Sequence, residues 1–272
     1  MKQTMLGQAI SQVTKLFLAP MGPLQHIFDS PGVTHVHCLE QAYAVLRRDS
    51  KTDVAMFFQP YHSSLTKGLF WADQGWKNVY HFYSKPENEG HALWPGATAE
   101  CQYYFNKALA FLEKDIVKGM FFLGAALHLV QDMCVPHHSV GVVFDGHQEF
   151  EKWATQNWAR FPALRSGDTP PMQEVCPHYK FSHPSQFIDY NAEISARYYP
   201  LVSLENGCTE TSYIEAARYL LPLTVNSTAG FLDFACDQIL KIRPHLAGSV
   251  SRLASAQPSR YADQPMGEIK LS

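Results

Sequence analysis

Between positions 128 and 151 of this chain, five side chains of types that can bind metal ions or carry protons follow a repeated spacing. His128 and Asp132 are four residues apart, His147 and Glu151 are also four apart, and His138 lies between the two pairs. On an α-helix, residues at this spacing occupy one face about one turn apart. Imidazole and carboxylate groups without a thiolate are typical of zinc at a catalytic site, with iron or manganese less favoured. The pattern therefore predicts a zinc centre.

The helix that carries the first of these pairs is almost wholly apolar. Residues 116–134 follow helical periodicity, and His128 and Asp132 are the polar exceptions on a segment that should cross the centre of the protein. Burying a carboxylate or an imidazole costs several kcal/mol unless a partner compensates it. A hydrogen-bonded core histidine explains one such residue, whereas the repeated spacing favours a divalent cation. No Glu has a His three positions later and HExxH is absent, which disfavours a di-iron bundle and a helix-borne zinc protease.

Helical periodicity extends over most of the chain, and almost nothing in it indicates a strand. Pro222 is expected to kink or divide the last helix. We predict an all-α, single-domain multi-helix bundle with a zinc cluster in its core. Residues 1–31 form an amphipathic N-terminal segment, residues 32–245 the helical domain, and residues 246–272 a flexible C-terminal tail. The predicted helices are 34–48, 98–113, 116–134, 148–160, 186–199 and 212–242.

Five segments, which include the spaced histidines and carboxylates above, resemble the superfamily of zinc-dependent phospholipases C and S1/P1 nucleases. FFLGAALHLVQDMCVPHHSVGVVFDGHQEFEKW, from Phe121 to Trp153, is similar to the family core, in which H-x3-D leads to Pro-x-His and then to His-x3-Glu. GVTHVHCLEQAYAVL resembles the first family helix, WADQGW and HFYSKP resemble the segment between, and NSTAGFLDF resembles the last core helix. The order and register agree from about Gly32 to Leu240, and the resemblance implies an all-α fold around three zinc ions.

The resemblance also implies which residues hold the ions. Family members complete the third zinc with a mature N-terminal Trp just before the first His, but no Trp precedes His35 here. Processing near Met21 to give a new amino terminus, substitution by His26 or His37, or binding of only two ions would each account for this difference. The chain is therefore expected to bind two to three Zn²⁺ ions. The implied ligands are Asp73, His81, His128 and Asp132 for the first ion, His138, His147 and Glu151 for the second, and His35 with a bridging Asp132 for the third.

The implied activity is hydrolysis of phospholipids of the phospholipase C type. In the expected mechanism a metal-bound hydroxide attacks phosphorus, and Asp73 or Asp132 orients that water or accepts its proton. The alternative is a zinc nuclease acting on single-stranded nucleic acid or 3'-nucleotides. Glu151, where the nucleases usually have Asp, and the short connection from His138 to His147 favour the phospholipase branch. A second alternative is a non-catalytic metal-binding or membrane-associated relative.

Composition and charge limit the class of partner. The chain has 46% hydrophobic and 17% charged residues, which indicates a packed globular protein. Its net charge of -3 excludes a broad basic surface for duplex nucleic acid. Apolar residues of the N-terminus recur at helical spacing, which predicts an amphipathic helix that could contact a membrane surface. The same segment is a poor signal peptide and does not predict a compartment.

Overall fold

The computed structural model describes residues 32–75, 77, 81–83, 96–142, 144–161 and 180–244. These residues are 81% helical and contain no strand, which confirms the predicted all-α fold. The predicted N-terminal segment 1–31 and tail 246–272 lie outside the described residues. The α-helices of the described part are α1 (Val33–Arg48), α2 (Thr52–Phe58), α3 (His62–Asp73), α4 (Ala97–Leu112), α5 (Ile116–Asp132), α6 (Pro136–Val140), α7 (His147–Asn157), α8 (Pro184–Ser195), α9 (Tyr199–Val202) and α10 (Glu210–Ile242).

Helix α5 runs through the centre of the bundle, as its apolar sequence predicts. Asp115 caps its first turn by accepting a hydrogen bond from the backbone N–H of Lys118 at 3.0 Å. From Gly119 to Asp132 nearly every residue is buried, and the helix packs mainly between α3 and α4. Burial on all sides explains why no polar face was needed. The helix ends at Asp132, and Pro136 then begins the short helix α6.

Two glycines allow α3 and α5 to approach closely. A Cβ atom on Gly68 would overlap the carbonyl oxygen of Phe121, and one on Gly124 would overlap the carbonyl oxygen of Leu65. The two backbones therefore meet with no side chain between them at these positions. This contact fixes the position of α3 along α5. Asp73 is the last residue of α3, so the contact also bears on where Asp73 lies.

The structure extends or corrects several helix predictions. Helices α2 and α3 were not predicted, because the intervening Pro60 and the polar run HSSLTK interrupt the apolar pattern. Helix α10 continues through Pro222, so of the two expected effects, a kink or a division, the division is wrong. Proline removes one backbone hydrogen bond, but the turns on both sides are buried in the core and hold the helix together.

Helix α10 is lined by buried side chains from Leu220 to Cys236, and it packs along α1. Two of its side chains, Thr224 and Thr228, donate hydrogen bonds to backbone carbonyls one turn earlier, at 2.7 Å each. Helix α10 thus packs against both α1 and α5. No helix of the described residues is long and apolar enough to cross a membrane.

The glycine contact generates a stability prediction. Gly124→Ala should lower the free energy of unfolding by about 1–3 kcal/mol, because the added methyl group collides with the Leu65 carbonyl and forces α3 away from α5. The gain in helix propensity, roughly 1 kcal/mol, offsets only part of this cost. Denaturant unfolding followed by circular dichroism measures the change. An unaltered midpoint would show that the two helices separate without strain.

Candidate metal centre

The buried carboxylate of Asp132 lies at the centre of a cluster of imidazoles. Asp132 ends α5, and its side chain is only 3% exposed. Four histidines from four different segments lie within 3.7 Å of it. The distances are 2.7 Å from Oδ2 to His81 Nδ1, 3.2 Å from Oδ2 to His128 Nε2, 3.5 Å from Oδ1 to His35 Nε2 and 3.7 Å from Oδ2 to His138 Nε2.

The first group of donors combines α5 with α3 and the segment 81–83. His128 Nε2 lies 3.1 Å from Asp73 Oδ1, and His81 Nδ1 lies 3.7 Å from the same oxygen. The segment that carries His81 is held by a hydrogen bond from the backbone N–H of Tyr83 to the carbonyl of His138 at 2.9 Å. One ligand atom each from Asp73, His81, His128 and Asp132 lies within 4.8 Å of every other, so the four can share one ion.

The second group comes from α6 and α7. His147 Nε2 lies 2.9 Å from both His138 Nε2 and Glu151 Oε1, and the i,i+4 spacing on α7 produces the second of these contacts. These three residues also offer ligand atoms within 4.8 Å of one another. Pro136 starts α6 so that His138 faces both Asp132 and Glu151. The two groups therefore adjoin each other and form one centre.

The charges of the cluster are strongly coupled. Burial alone would raise the pKa of Asp132, but the imidazoles of His128, His138 and His81 hold it well below its usual range. Burial opposes protonation of His128, yet the carboxylates of Asp132 and Asp73 raise its pKa well above its usual value. The carboxylate of Glu151 likewise has a lowered pKa, because His147 and His138 outweigh its burial. A metal ion entering the centre must therefore displace protons, and acid will favour its release.

The orientation of the donor atoms fits a metal ion. His81 Nδ1 and His128 Nε2 are fully buried and close to carboxylate oxygens, but neither is aligned to make a hydrogen bond. Buried nitrogens without hydrogen bonds cost roughly 1–3 kcal/mol each. Atoms that ligate one ion lie close together without hydrogen-bonding to each other, as these do. Nitrogen and oxygen donors at this density suit zinc.

His35 reaches the centre from α1, where the resemblance placed it. Its Nε2 faces Asp132, while its Nδ1 lies 2.7 Å from Oε1 of Gln131. Burial lowers the pKa of His35 and favours its neutral form. His37, one of the proposed substitutes for the missing Trp, stacks instead on Trp158 and lies 3.6 Å from Glu40. His26, the other substitute, lies outside the described residues.

A supporting network behind the second group was not found from the sequence. His137 is fully buried and donates from Nε2 to the carbonyl oxygen of Asp145 at 2.7 Å, and burial lowers the pKa of His137 to about 4. Hydrogen bonds from Ser203 and Tyr199 lower the pKa of Asp145 to about 2. The Tyr199 hydroxyl is 2.6 Å from Asp145 Oδ2. This network holds the loop that leads into His147, and only the tertiary fold brings its parts together.

Comparison with known proteins agrees with the geometry. A model of the family described as zinc dependent phospholipase C matches residues 34–194. This range contains every predicted metal-site residue. A search of curated proteins returned no match.

Two solved structures share the fold. The alpha-toxin of an avian strain of Clostridium perfringens superposes with a TM-score of 0.60 at 15% sequence identity, over 76% of this chain and 63% of the toxin chain. The alpha toxin of Clostridium absonum gives a TM-score of 0.59 at the same identity and coverage. This chain therefore spans less than two thirds of the length of either toxin, and at this identity the likeness describes the fold.

Removal of the central carboxylate should empty the centre. Asp132→Asn should lose most of the bound zinc, because one residue contacts both groups, while the helical fold stays assembled. Elemental analysis counts the zinc and far-ultraviolet circular dichroism reports the helices. Asp237→Asn, on the exposed side of α10, is the matched control and should keep its zinc. A full zinc content in Asp132→Asn would refute the central position of this carboxylate.

Glu151→Gln should lower the zinc affinity of the second group and leave that of the first group unchanged. Glu151 contacts His138 and His147 but belongs only to the second group. We expect the zinc held there to bind at least ~10-fold more weakly, with the first group unchanged. Competition with a chelating dye measures both affinities, and Glu149→Gln, exposed on the same helix, is the control. Equal weakening of both groups would contradict the division into two.

Proposed function

Because the chain belongs to the zinc-dependent phospholipase C family, we propose that it is a zinc-dependent phosphodiesterase that cleaves phospholipids into diacylglycerol and a phosphorylated head group. The observation that supports this most directly is the convergence of two adjoining donor groups on the carboxylate of Asp132. Adjoining metal sites are suited to a phosphodiester, whose reaction moves negative charge between several oxygens.

Each group of side chains in the centre is assigned to a different ion. We assign one zinc to Asp73, His81, His128 and Asp132, and another to His138, His147 and Glu151. His35 and Asp132 offer donors for a third. When bound, these ions supply Lewis acidity that lowers the pKa of water and neutralises charge on phosphate oxygens. The protein holds the imidazoles of His81, His128 and His138 beside the carboxylate of Asp132, so that the donor atoms are in place when the ions bind.

The two candidate catalytic carboxylates differ in exposure, and this difference assigns their roles. Asp132 is 3% exposed and contacts four imidazoles, so it serves to hold the cluster together. Asp73 is 32% exposed and lies at the end of α3, beside the same group. Solvent and substrate can reach Asp73. We therefore assign to its carboxylate the orientation of the attacking water and the acceptance of its proton.

An aromatic ring beside the second group suits an amphiphilic substrate. The ring of Phe82 lies 5.1 Å from the ring of His138 and 6.5 Å from that of His147. Phe144, on the loop between α6 and α7, is 81% exposed. Phe82 directly follows His81 in the chain, and Phe144 lies three residues before His147. An apolar surface at the edge of a cluster of ionic groups matches a phosphate ester that carries acyl chains.

Direct assay tests the proposed activity. The purified chain should hydrolyse a chromogenic phosphocholine ester and phosphatidylcholine vesicles, lose this activity on chelation and regain it with zinc. Asp132→Asn should be inactive, since its centre is disrupted, and Asp237→Asn should match the unmodified chain. Faster cleavage of single-stranded DNA than of the esters would replace the proposed substrate with nucleic acid. A zinc-loaded chain that cleaves neither would be a binding protein.

A further inference from the structure

Gln131 is a buried amide whose contacts connect α1, α5 and α10 beside the metal centre. It is 1% exposed and precedes Asp132 on α5. Its amide group lies between the His35 ring and the Thr228 hydroxyl. A polar side chain at this place in an apolar helix interior requires partners for both ends of its amide. The partners present determine which end is which.

The hydrogen bonds assign every proton in this network. The Thr228 hydroxyl donates its one hydrogen to the carbonyl of Thr224 at 2.7 Å, so towards Gln131 it can only accept. Gln131 Nε2 donates to that hydroxyl at 3.0 Å and also faces the carbonyl oxygen of His35 at 3.4 Å. Both neighbours are acceptors, so the amide nitrogen lies on this side. Oε1 must therefore face the His35 ring.

The consequence for His35 is a single tautomer. Because Oε1 of Gln131 can only accept, His35 Nδ1 must carry the proton and donate it across the 2.7 Å contact. The neutral ring then has its lone pair on Nε2, which points at Oδ1 of Asp132 from 3.5 Å. A lone pair facing a carboxylate oxygen is repulsive unless a cation lies between them. The network thus prepares His35 to bind a cation through Nε2.

We infer that Gln131 is a positioning residue, which fixes the Nδ1-protonated tautomer of His35 so that Nε2 and Asp132 Oδ1 present a cation-binding pair. This inference rests on the proposed function for the identity of the ion, which is zinc. Histidines that bind metals commonly donate their other ring N–H to a neighbouring acceptor, and loss of that acceptor weakens binding about 10–100-fold. Within the described part of the chain, the far ring nitrogens of His81, His128 and His138 have no such partner. His35 therefore differs from these three histidines in having a side-chain acceptor, Gln131, for its far ring nitrogen.

The tautomer can be observed directly in the full chain. Nitrogen-15 spectra of histidine side chains, recorded after chelation and with zinc, should show His35 protonated at Nδ1 in both states. Gln131→Met keeps the length of the side chain but removes the acceptor, and it should release His35 into a mixture of tautomers. Gln131→Glu restores an acceptor and should restore the tautomer. A His35 protonated at Nε2 in the unmodified chelated chain would overturn the inference, whether or not any variant folds.

Zinc binding provides the second measurement. Gln131→Met should weaken one zinc about 10–100-fold and leave the others unchanged. Asn191→Ala is the matched control, since Asn191 is also a buried amide with bonds to α5 and α10 but contacts none of the proposed ligands. Equal zinc loss in both variants would reduce Gln131 to a structural role. Because the tautomer is read without activity, absence of lipid hydrolysis would refute the proposed function and leave this inference standing.

Discussion

The centre depends on one constraint, which is that the carboxylate of Asp132 is buried among four imidazoles. Burying an isolated carboxylate would cost too much free energy. Four imidazoles packed together would lower one another's pKa, because each protonated ring repels the next proton. Together they are tolerable because Asp132 stays ionised and its neighbours share the compensating charge. Metal ions would complete this compensation with less strain than protons, because ligand atoms that miss hydrogen-bond geometry still point at a shared centre.

The helical frame is organised to deliver these groups to one place. Helix α5 supplies the fixed pair, and the glycine contact with α3 brings Asp73 to its level. The turn at Pro136 and the loop held by Asp145 bring the second group against the first. The glycine contact, the turn at Pro136 and the loop held by Asp145 are all features of packing or backbone. The geometry of the centre therefore depends on the stability of the bundle.

The chain belongs to the zinc-dependent phospholipase C family and its buried donor groups suit zinc, and the network at Gln131 adds a detail particular to this chain. The likeness to two clostridial alpha-toxins covers less than two thirds of those chains and, at 15% identity, describes the fold alone. Within that part, Gln131 relates the first helix to the last through hydrogen bonds whose direction leaves no freedom. The orientation of His35 is thereby independent of whether an ion is bound.

The sequence alone determined the helical class, the burial of α5 and the pairing of His128 with Asp132 and of His147 with Glu151, because each follows from periodicity within one helix. It missed α2 and α3, whose apolar pattern is interrupted, and it expected Pro222 either to kink or to divide the last helix, whereas α10 is continuous because packing outweighs one lost hydrogen bond. It assigned no role to His137, which the fold buries. Only the tertiary structure decided that Asp132 lies between the two groups, that Asp73 is the exposed carboxylate and that Gln131 controls His35. These properties depend on distances between segments far apart in the chain, and no local spacing encodes such distances.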